Sequence, residues 1–415
     1  MSLYKRPRFL PKQFRLILTS FVQRPGLPFA NALPEAAIRE AFDDEGVTFA
    51  DDENAIYTPA VTLWAFLSQV LFKNEQRSCV AAVARVIVLL VAMKREPCCS
   101  NTGAYCRARG KLSESVVQRL AVDLSDGCEQ QLDEAQLWHG RHVRIVDGTT
   151  VSMPDTPENQ NAYPQARTQR AGLGFPVARV VVLLSLATGM VTDMAMGPYL
   201  GQETGETALL RQLLKRFNPE DILLGDRYFS SYFMIALLKE PNVDFVSRIH
   251  QLRKVDFRTE SFVVVTTLTD AATYPKGEIA QLYHYRWLAE LDIRAIKISM
   301  GMDILRCKTP EMVRKEMWTC LLAYNLIRQT MLQSARKAGM SPRALSFTAT
   351  MQSVAASWLV IVLSDDASVS LAEHVVGNRP GRVEPRAIKR RSKPHDLPTK
   401  PRDQARAELI GEKPA

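Results

Sequence analysis

Apolar residues recur along this chain first at helical and then at strand spacing. Four segments before residue 135, PEAAIREAFDD, TPAVTLWAFLSQVLF, CVAAVARVIVLLVAM and SESVVQRLAVDLSDGCEQQL, place apolar side chains three and four apart between turn residues. A helical region over 1–135 is therefore expected. Between the last two, SNTGAYCRARGK reads as a basic turn with Arg107, Arg109 and Lys111, which suits DNA or plain solvation equally. Near residue 141 the texture changes. RHVRIVDGTTVSMP is a short β-branched run, and ARVVVLLSLATGMVTDMAMG reads as two strands joined at Thr188-Gly189. GETALLRQLLKRF then reads as helix, DILLGDRY as strand, SSYFMIALLKE as helix, and DFVSRIH and FVVVTTL as strands. The order β, β, β, α, β, α, β, β, α over 136–300 predicts an α/β domain with a mixed sheet. Two further helical segments follow over 301–375.

The last helix of that domain, LYHYRWLAELDIRAIKISMG at 282–301, carries Tyr283, Arg286, Glu290 and Lys297. At about 100° per residue these four fall within an arc of roughly 60°. Trp287, Leu291, Ile293, Ala295, Ile296 and Ile298 cover the other faces. The stripe is either a presented polar row or ordinary i,i+4 pairing of Glu290 with Arg286 and Arg294.

Length and charge narrow the class. A chain of 415 residues, 46% hydrophobic and 23% charged, has the composition of a soluble globular protein of two or three domains. The start MSLYKRPRFLPKQFRLIL lacks the apolar run of a signal peptide. The longest apolar run, residues 79–93, contains Arg85 and is shorter than the roughly twenty residues of a spanning helix, so it reads as a buried helix. Seven unevenly placed cysteines suggest reduced thiols and a cytoplasmic protein, and the Cys98, Cys99, Cys106 cluster has no histidine beside it to complete a zinc site. The net charge of +9 is concentrated: from Asn378 onward there are eleven Lys and Arg against five Asp and Glu. With its prolines, 376–415 reads as a disordered basic tail suited to phosphate backbones.

Two aspartates occupy comparable places. Asp147 follows the apolar run VRIV, and Asp226 follows ILLG, each read as a strand exit, where α/β sheets gather their chemistry. Asp-Gly is also a turn signal, and Asp226 could cap the helix beginning near Ser230. Combined with a helix glutamate, the two could hold two divalent cations for phosphodiester chemistry, Mg²⁺ being suited to hard carboxylates. Tyr283, Arg286 and Lys297 would then lie beside them as phosphate donors.

The pattern Y-x2-R-x3-E-x6-K, met by Tyr283, Arg286, Glu290 and Lys297, resembles the signature of bacterial insertion-sequence transposases of family four, within the DDE superfamily. IVDGTTVSMPDTPENQNAYPQ is similar to the family's first-aspartate region, LLGDRYFSSY to its second, and ELDIRAIKISMGMDILRCKTPEMVRKEMW to its glutamate region. The likeness spans roughly residues 35 to 335. It implies an RNase H-like core, a catalytic and metal-binding triad Asp147, Asp226 and Glu290, and phosphate binding by Tyr283, Arg286 and Lys297. It further implies two Mg²⁺ ions, with Mn²⁺ as a substitute, and a homodimer acting on double-stranded DNA, both the element's terminal inverted repeats and the target. Activity would be cytoplasmic and nucleoid-associated.

The implied reaction is cut-and-paste transposition: a nick at the element end, closure and reopening of a hairpin, then attack of the 3′-OH on target DNA. One departure stands out. Relatives carry a long β-rich insertion before the glutamate helix, whereas here only 26 residues separate Ile249 from Lys276, and Trp287 is the sole tryptophan between Asp226 and Glu290. The alternatives to an active transposase are a degenerate copy that binds ends without completing transposition, and a nuclease of the same fold.

Overall fold

In the computed structural model the described residues are 33–47, 49, 55–72, 74–92, 96–168, 172–249, 263–359, 375–376, 404 and 407–408. Nearly all of the basic tail and the stretch 250–262, with Phe257 and Phe262, lie outside them.

Among the described residues five α-helices come first: α1 (Glu35–Asp44), α2 (Pro59–Leu71), α3 (Cys79–Ala92), α4 (Gly103–Lys111) and α5 (Glu114–Glu129). The fourth corrects the expected basic turn. SNTGAYCRARGK winds into α4 because Tyr105 and Ala108, three apart, are both buried, a contact that its polar composition conceals. Arg109 turns inward, donating to Gln69 Oε1 at 3.0 Å, while Arg107 and Lys111 stay exposed. The apolar run is α3, and among the described residues no helix is long and apolar enough to cross a membrane.

The sheet comprises β1 (Val143–Ser152), β2 (Val177–Ser185), β3 (Val191–Pro198), β4 (Ile222–Gly225), β5 (Asp244–Arg248) and β6 (Val264–Thr266), in the order β3-β2-β1-β4-β5-β6. Strands β1, β2 and β3 pair antiparallel, β4 and β5 run parallel to β1, and β6 returns antiparallel. That is the mixed sheet of an RNase H-like core. The β2–β3 hairpin turns at Gly189, whose φ of +73° a side chain would resist. Helix α6 (Pro157–Ala162) follows β1.

Alternation along the strands gives the sheet two apolar faces. Val146, Val181, Leu183, Leu223 and Phe245 pack against α7 (Glu206–Gln212) and α8 (Tyr232–Lys239). Ile145, Val180, Val182, Leu184 and Leu224 belong instead to a core shared with the N-terminal helices and with α11 (Pro310–Ala338). The length of α11 has a local cause: Thr309 Oγ1 accepts the Met312 N–H, proline opens the first turn, and Gly339 closes the helix at φ +64°. Buried Asn325 ties α11 to the sheet, donating to Val191 O at 2.8 Å and accepting the Val191 N–H at 2.9 Å.

The segment expected as one helix at 282–301 is divided into α9 (Lys276–His284), α10 (Trp287–Arg294) and a π-helical turn, Ala295–Ser299. The break is a tightened turn: the N–H groups of Tyr285, Arg286, Leu288 and Ala289 bond three residues back instead of four. Tightening at Arg286 and widening at Lys297 re-aim the stripe without unwinding the chain. Helix α12 (Phe347–Leu359) follows α11.

Candidate active site

Asp147 does not stand at a strand exit. Strand β1 continues to Ser152 because Thr149, Thr150 and Val151 pair with Val180, Arg179 and Ala178 of β2, so Asp-Gly here is no turn. Asp147 lies mid-strand, and its Oδ1 accepts the Gly148 N–H at 2.8 Å. Asp226 does follow the last residue of β4. It caps no helix: the N-cap of α8 is Ser231, and Asp226 Oδ1 accepts the Tyr228 N–H at 2.8 Å.

From the other side comes the Arg286 guanidinium, 2.9 Å from Glu290 Oε1 and 3.9 Å from Asp147 Oδ2. Burial would lower its pKa, but Asp147, Tyr283 and Glu290 outweigh that and raise it, so it remains a cation. Tyr283 is half-buried beside it; burial raises its hydroxyl, Arg286 and Arg248 pull it down, and Asp226 pushes it up again. Lys297 takes a different direction. Its Nζ donates to Thr149 Oγ1 at 2.9 Å and to Thr150 O at 2.7 Å, pinning the π-helical turn to β1.

The electrostatics converge on Asp147. Burial pushes its carboxyl up to about 6, Arg286 and the Gly148 N–H pull it down, and Asp226 and Glu290 raise it further. Between the ordinary value of 3.8 and about 6, the folded protein holds a proton that the unfolded chain has released. The stability this provides is present below about pH 4 and lost as pH rises through about 6. In the presence of a chelator, Asp147→Asn should therefore be more stable than the wild type at pH 7, by on the order of 2 kcal/mol. Thermal melting at pH 4 and pH 7 checks this, and a gap that does not grow with pH contradicts the raised carboxyl.

Oxygen-only donors of this kind are the ligand set of a hard divalent cation, and the repulsion felt at Asp147 is what such an ion relieves. Among the described residues, no three acidic, histidine or cysteine side chains yet stand close enough to share one ion. The Arg286 cation is placed between Asp147 and Glu290 instead.

Three features escaped the sequence. Glu206, the first residue of α7, is near Asp226: burial first and then Asp226 raise its carboxyl, and Arg179 lowers it. Its only signal was an acid within the turn-rich YLGQETGE. Asp292, which the sequence reading passed over, is fully buried between Arg328 and Arg343. Tyr228, Tyr232 and Phe233 expose their rings just after Asp226.

Residues 138–326 match the family described as "Transposase DDE domain", a span that contains Asp147, Asp226, Tyr283, Arg286, Glu290 and Lys297. The chain is 27% identical over 362 residues to the transposase InsG of insertion sequence element IS4 from Escherichia coli K12, covering 72% of this chain and 78% of that protein. It is 29% identical over 140 residues to the putative transposase InsZ of the same organism, covering 33% and 45% respectively. Among solved structures, a piggyBac transposase synaptic complex with hairpin DNA aligns at a TM-score of 0.43 and 10% identity, over 90% of this chain and 88% of that one.

Proposed function

We propose, for a chain that belongs to the DDE transposases of insertion-sequence family four, that Asp147, Asp226 and Glu290 are the acids of its metal centre. The protein is a DNA transposase, and as a DDE enzyme it depends on divalent metal and binds DNA. The finer reading is cut-and-paste movement of an insertion sequence with two Mg²⁺ ions, Mn²⁺ being able to substitute. The protein would act as a homodimer on terminal inverted repeats and target DNA in the bacterial cytoplasm. The helical region 1–135 would hold the element end, 136–300 would carry the chemistry, 301–375 would brace it, and 376–415 would add non-specific phosphate contacts.

The observation that carries this reading is Arg286, flanked by Asp147 and Glu290. Bound Mg²⁺ supplies Lewis-acid activation of the attacking and leaving oxygens of a phosphodiester. Asp147 and Asp226 contribute rigid carboxylates, one within a paired strand and the other at a strand end. Glu290 contributes the most exposed one, its side chain 46% exposed and paired with Arg286. Arg286, drawn toward a DNA phosphate, would release both of its carboxylates to the metal and orient the phosphate by its bidentate fork. Tyr283 would hold the same phosphate through its hydroxyl, and Lys297 would fix β1 against the glutamate helix while offering a nearby positive charge. Saturating Mg²⁺ should reverse the Asp147→Asn stability order at pH 7, because only the wild type gains the full binding free energy.

The test is a time course with a duplex carrying the element's own inverted repeat, Mg²⁺ and the full chain, resolved on a denaturing gel. Mg²⁺-dependent nicks, then hairpins, then joined product are expected. Binding without nicks would point to a degenerate copy, and nicks without joining to a nuclease. The shortened 250–276 stretch adds an expectation about rate. Tyr274 stacks on Trp138 with ring centroids 5.5 Å apart, so one of its faces is already taken by the protein's own core. Losing a stacking platform worth about 1 to 3 kcal/mol slows hairpin closure by about 5- to 150-fold. Nicked product should accumulate; hairpins forming as fast as nicks would refute this and direct attention to Tyr228, Tyr232 and Phe233.

A further inference from the structure

A glycine in the middle of a strand needs a reason, since it weakens the strand and packs nothing. Gly148 is flanked in register by Asp147 opposite Val182 and Thr149 opposite Val180, and its φ is not positive. Freedom of the backbone is therefore not its purpose. Space is: a Cβ built there would lie 2.4 Å from Glu206 Cδ, 2.5 Å from Oε1 and 2.9 Å from Cγ. The Glu206 side chain occupies the volume that any other residue at 148 would fill.

The alternation of β1 then fixes the geometry. Val146 and Gly148 face α7 and α8, whereas Ile145 and Asp147 face the opposite side, from which Arg286 and Glu290 approach. Asp226, at the end of the neighbouring strand, is within electrostatic reach of Asp147 from one face and of Glu206 from the other. Helix α7 is anchored by buried Leu209 and Leu210, with Leu209 Cδ2 close to Gly197, so Glu206 is held in place rather than trailing. The nearby cation, Arg179, spends a guanidinium N–H on Thr204 O at 2.8 Å. Two partly buried carboxylates within electrostatic reach of one another are unfavourable unless a cation joins them.

We propose that Glu206 is a fourth carboxylate of the metal centre, reaching ions shared with Asp226 through the gap left by Gly148. The proposal rests on the metal-centre reading of Asp147, Asp226 and Glu290. Four carboxylates also balance two divalent cations without help from Arg286, leaving that side chain for the DNA phosphate.

The test uses the full chain without DNA and Mn²⁺ alone as the probe, with binding followed by calorimetry and by the spin-resonance signal of free Mn²⁺. Glu206→Gln keeps the shape and removes the charge. It should weaken Mn²⁺ binding by about 10- to 100-fold, and raise the Mg²⁺ concentration for half-maximal nicking by a similar factor. Affinity for the element end in chelator should be unchanged. Gly148→Ala, whose methyl displaces the Glu206 carboxylate, should shift Mn²⁺ binding in the same direction. Asp226→Asn is the control. If it loses Mn²⁺ binding while Glu206→Gln binds as the wild type does, Glu206 is no ligand and the triad reading stands. If Asp226→Asn also binds normally, both readings fall.

Discussion

Replacing Glu290 with alanine should reduce nicking at an element end by roughly a thousandfold or more, a loss on the order of 4 kcal/mol of transition-state stabilisation. The fold should survive, because Glu290 is 46% exposed and its ion pair with Arg286 is an i,i+4 surface pair, worth about 0.3 to 0.5 kcal/mol. DNA-end affinity should also persist within a few-fold, since phosphate contacts spread over a basic protein carry most of it. Asp147→Ala and Asp226→Ala should be as inactive as Glu290→Ala, and the triple variant hardly worse, because residues acting as one unit are not additive. Single-turnover nicking, anisotropy on a labelled end and a melting curve separate the three quantities. A Glu290→Ala protein that nicks at the wild-type rate would remove glutamate from the site.

Much of this was legible in the sequence because the relevant signals are periodic. Strand runs such as VRIV and ILLG, and the turn at Thr188-Gly189, gave the succession of strands and helices along the chain before any geometry, and the six strands assemble as a mixed sheet. The stripe of Tyr283, Arg286, Glu290 and Lys297 was visible for the same reason, at helical spacing. What periodicity assumes is an ideal helix, and there it misleads. The tightened turn at Arg286 and the π-helical turn after Arg294 depend on how the segment meets β1, so the reach of Lys297 to Thr149 and Thr150 could not be read from spacing. Asp147 was misplaced because Asp-Gly is a local turn signal, whereas the space for Gly148 is set by Glu206, 58 residues away. Asp292 was hidden for a related reason: its partners Arg328 and Arg343 lie on later elements, and no local pattern distinguishes a buried charge from a solvated one.

Asp292 also bears the largest expected effect on stability. It is two residues from Glu290 on α10, so while the glutamate is presented to the site, the aspartate points into the core at 1% exposure. There it accepts from Arg328 Nη2, and from Arg343 Nη1 at 3.1 Å. Arg328 is itself 6% exposed, donates from Nε to the Tyr324 hydroxyl at 2.8 Å and lies over the rings of Tyr324 and Phe347. Arg343 has other acceptors in Leu186 O and Ser185 O. Asp292→Ala would leave the Arg328 charge buried without its counter-ion, a loss of about 3 to 5 kcal/mol. That is a large share of the 5 to 15 kcal/mol typical of a folded protein. Arg343→Gln should cost only about 1 kcal/mol, because the Asp292–Arg328 pair remains and the lost partner is nearer the surface. Urea unfolding should show the Asp292→Ala midpoint falling with the slope unchanged. Nicking should fall with it even at temperatures where the variant is still folded, because α10 loses the anchor that fixes where Glu290 points. A variant within about 1 kcal/mol of the wild type would mean that the two arginines are solvated, and that packing alone sets the orientation of the glutamate helix.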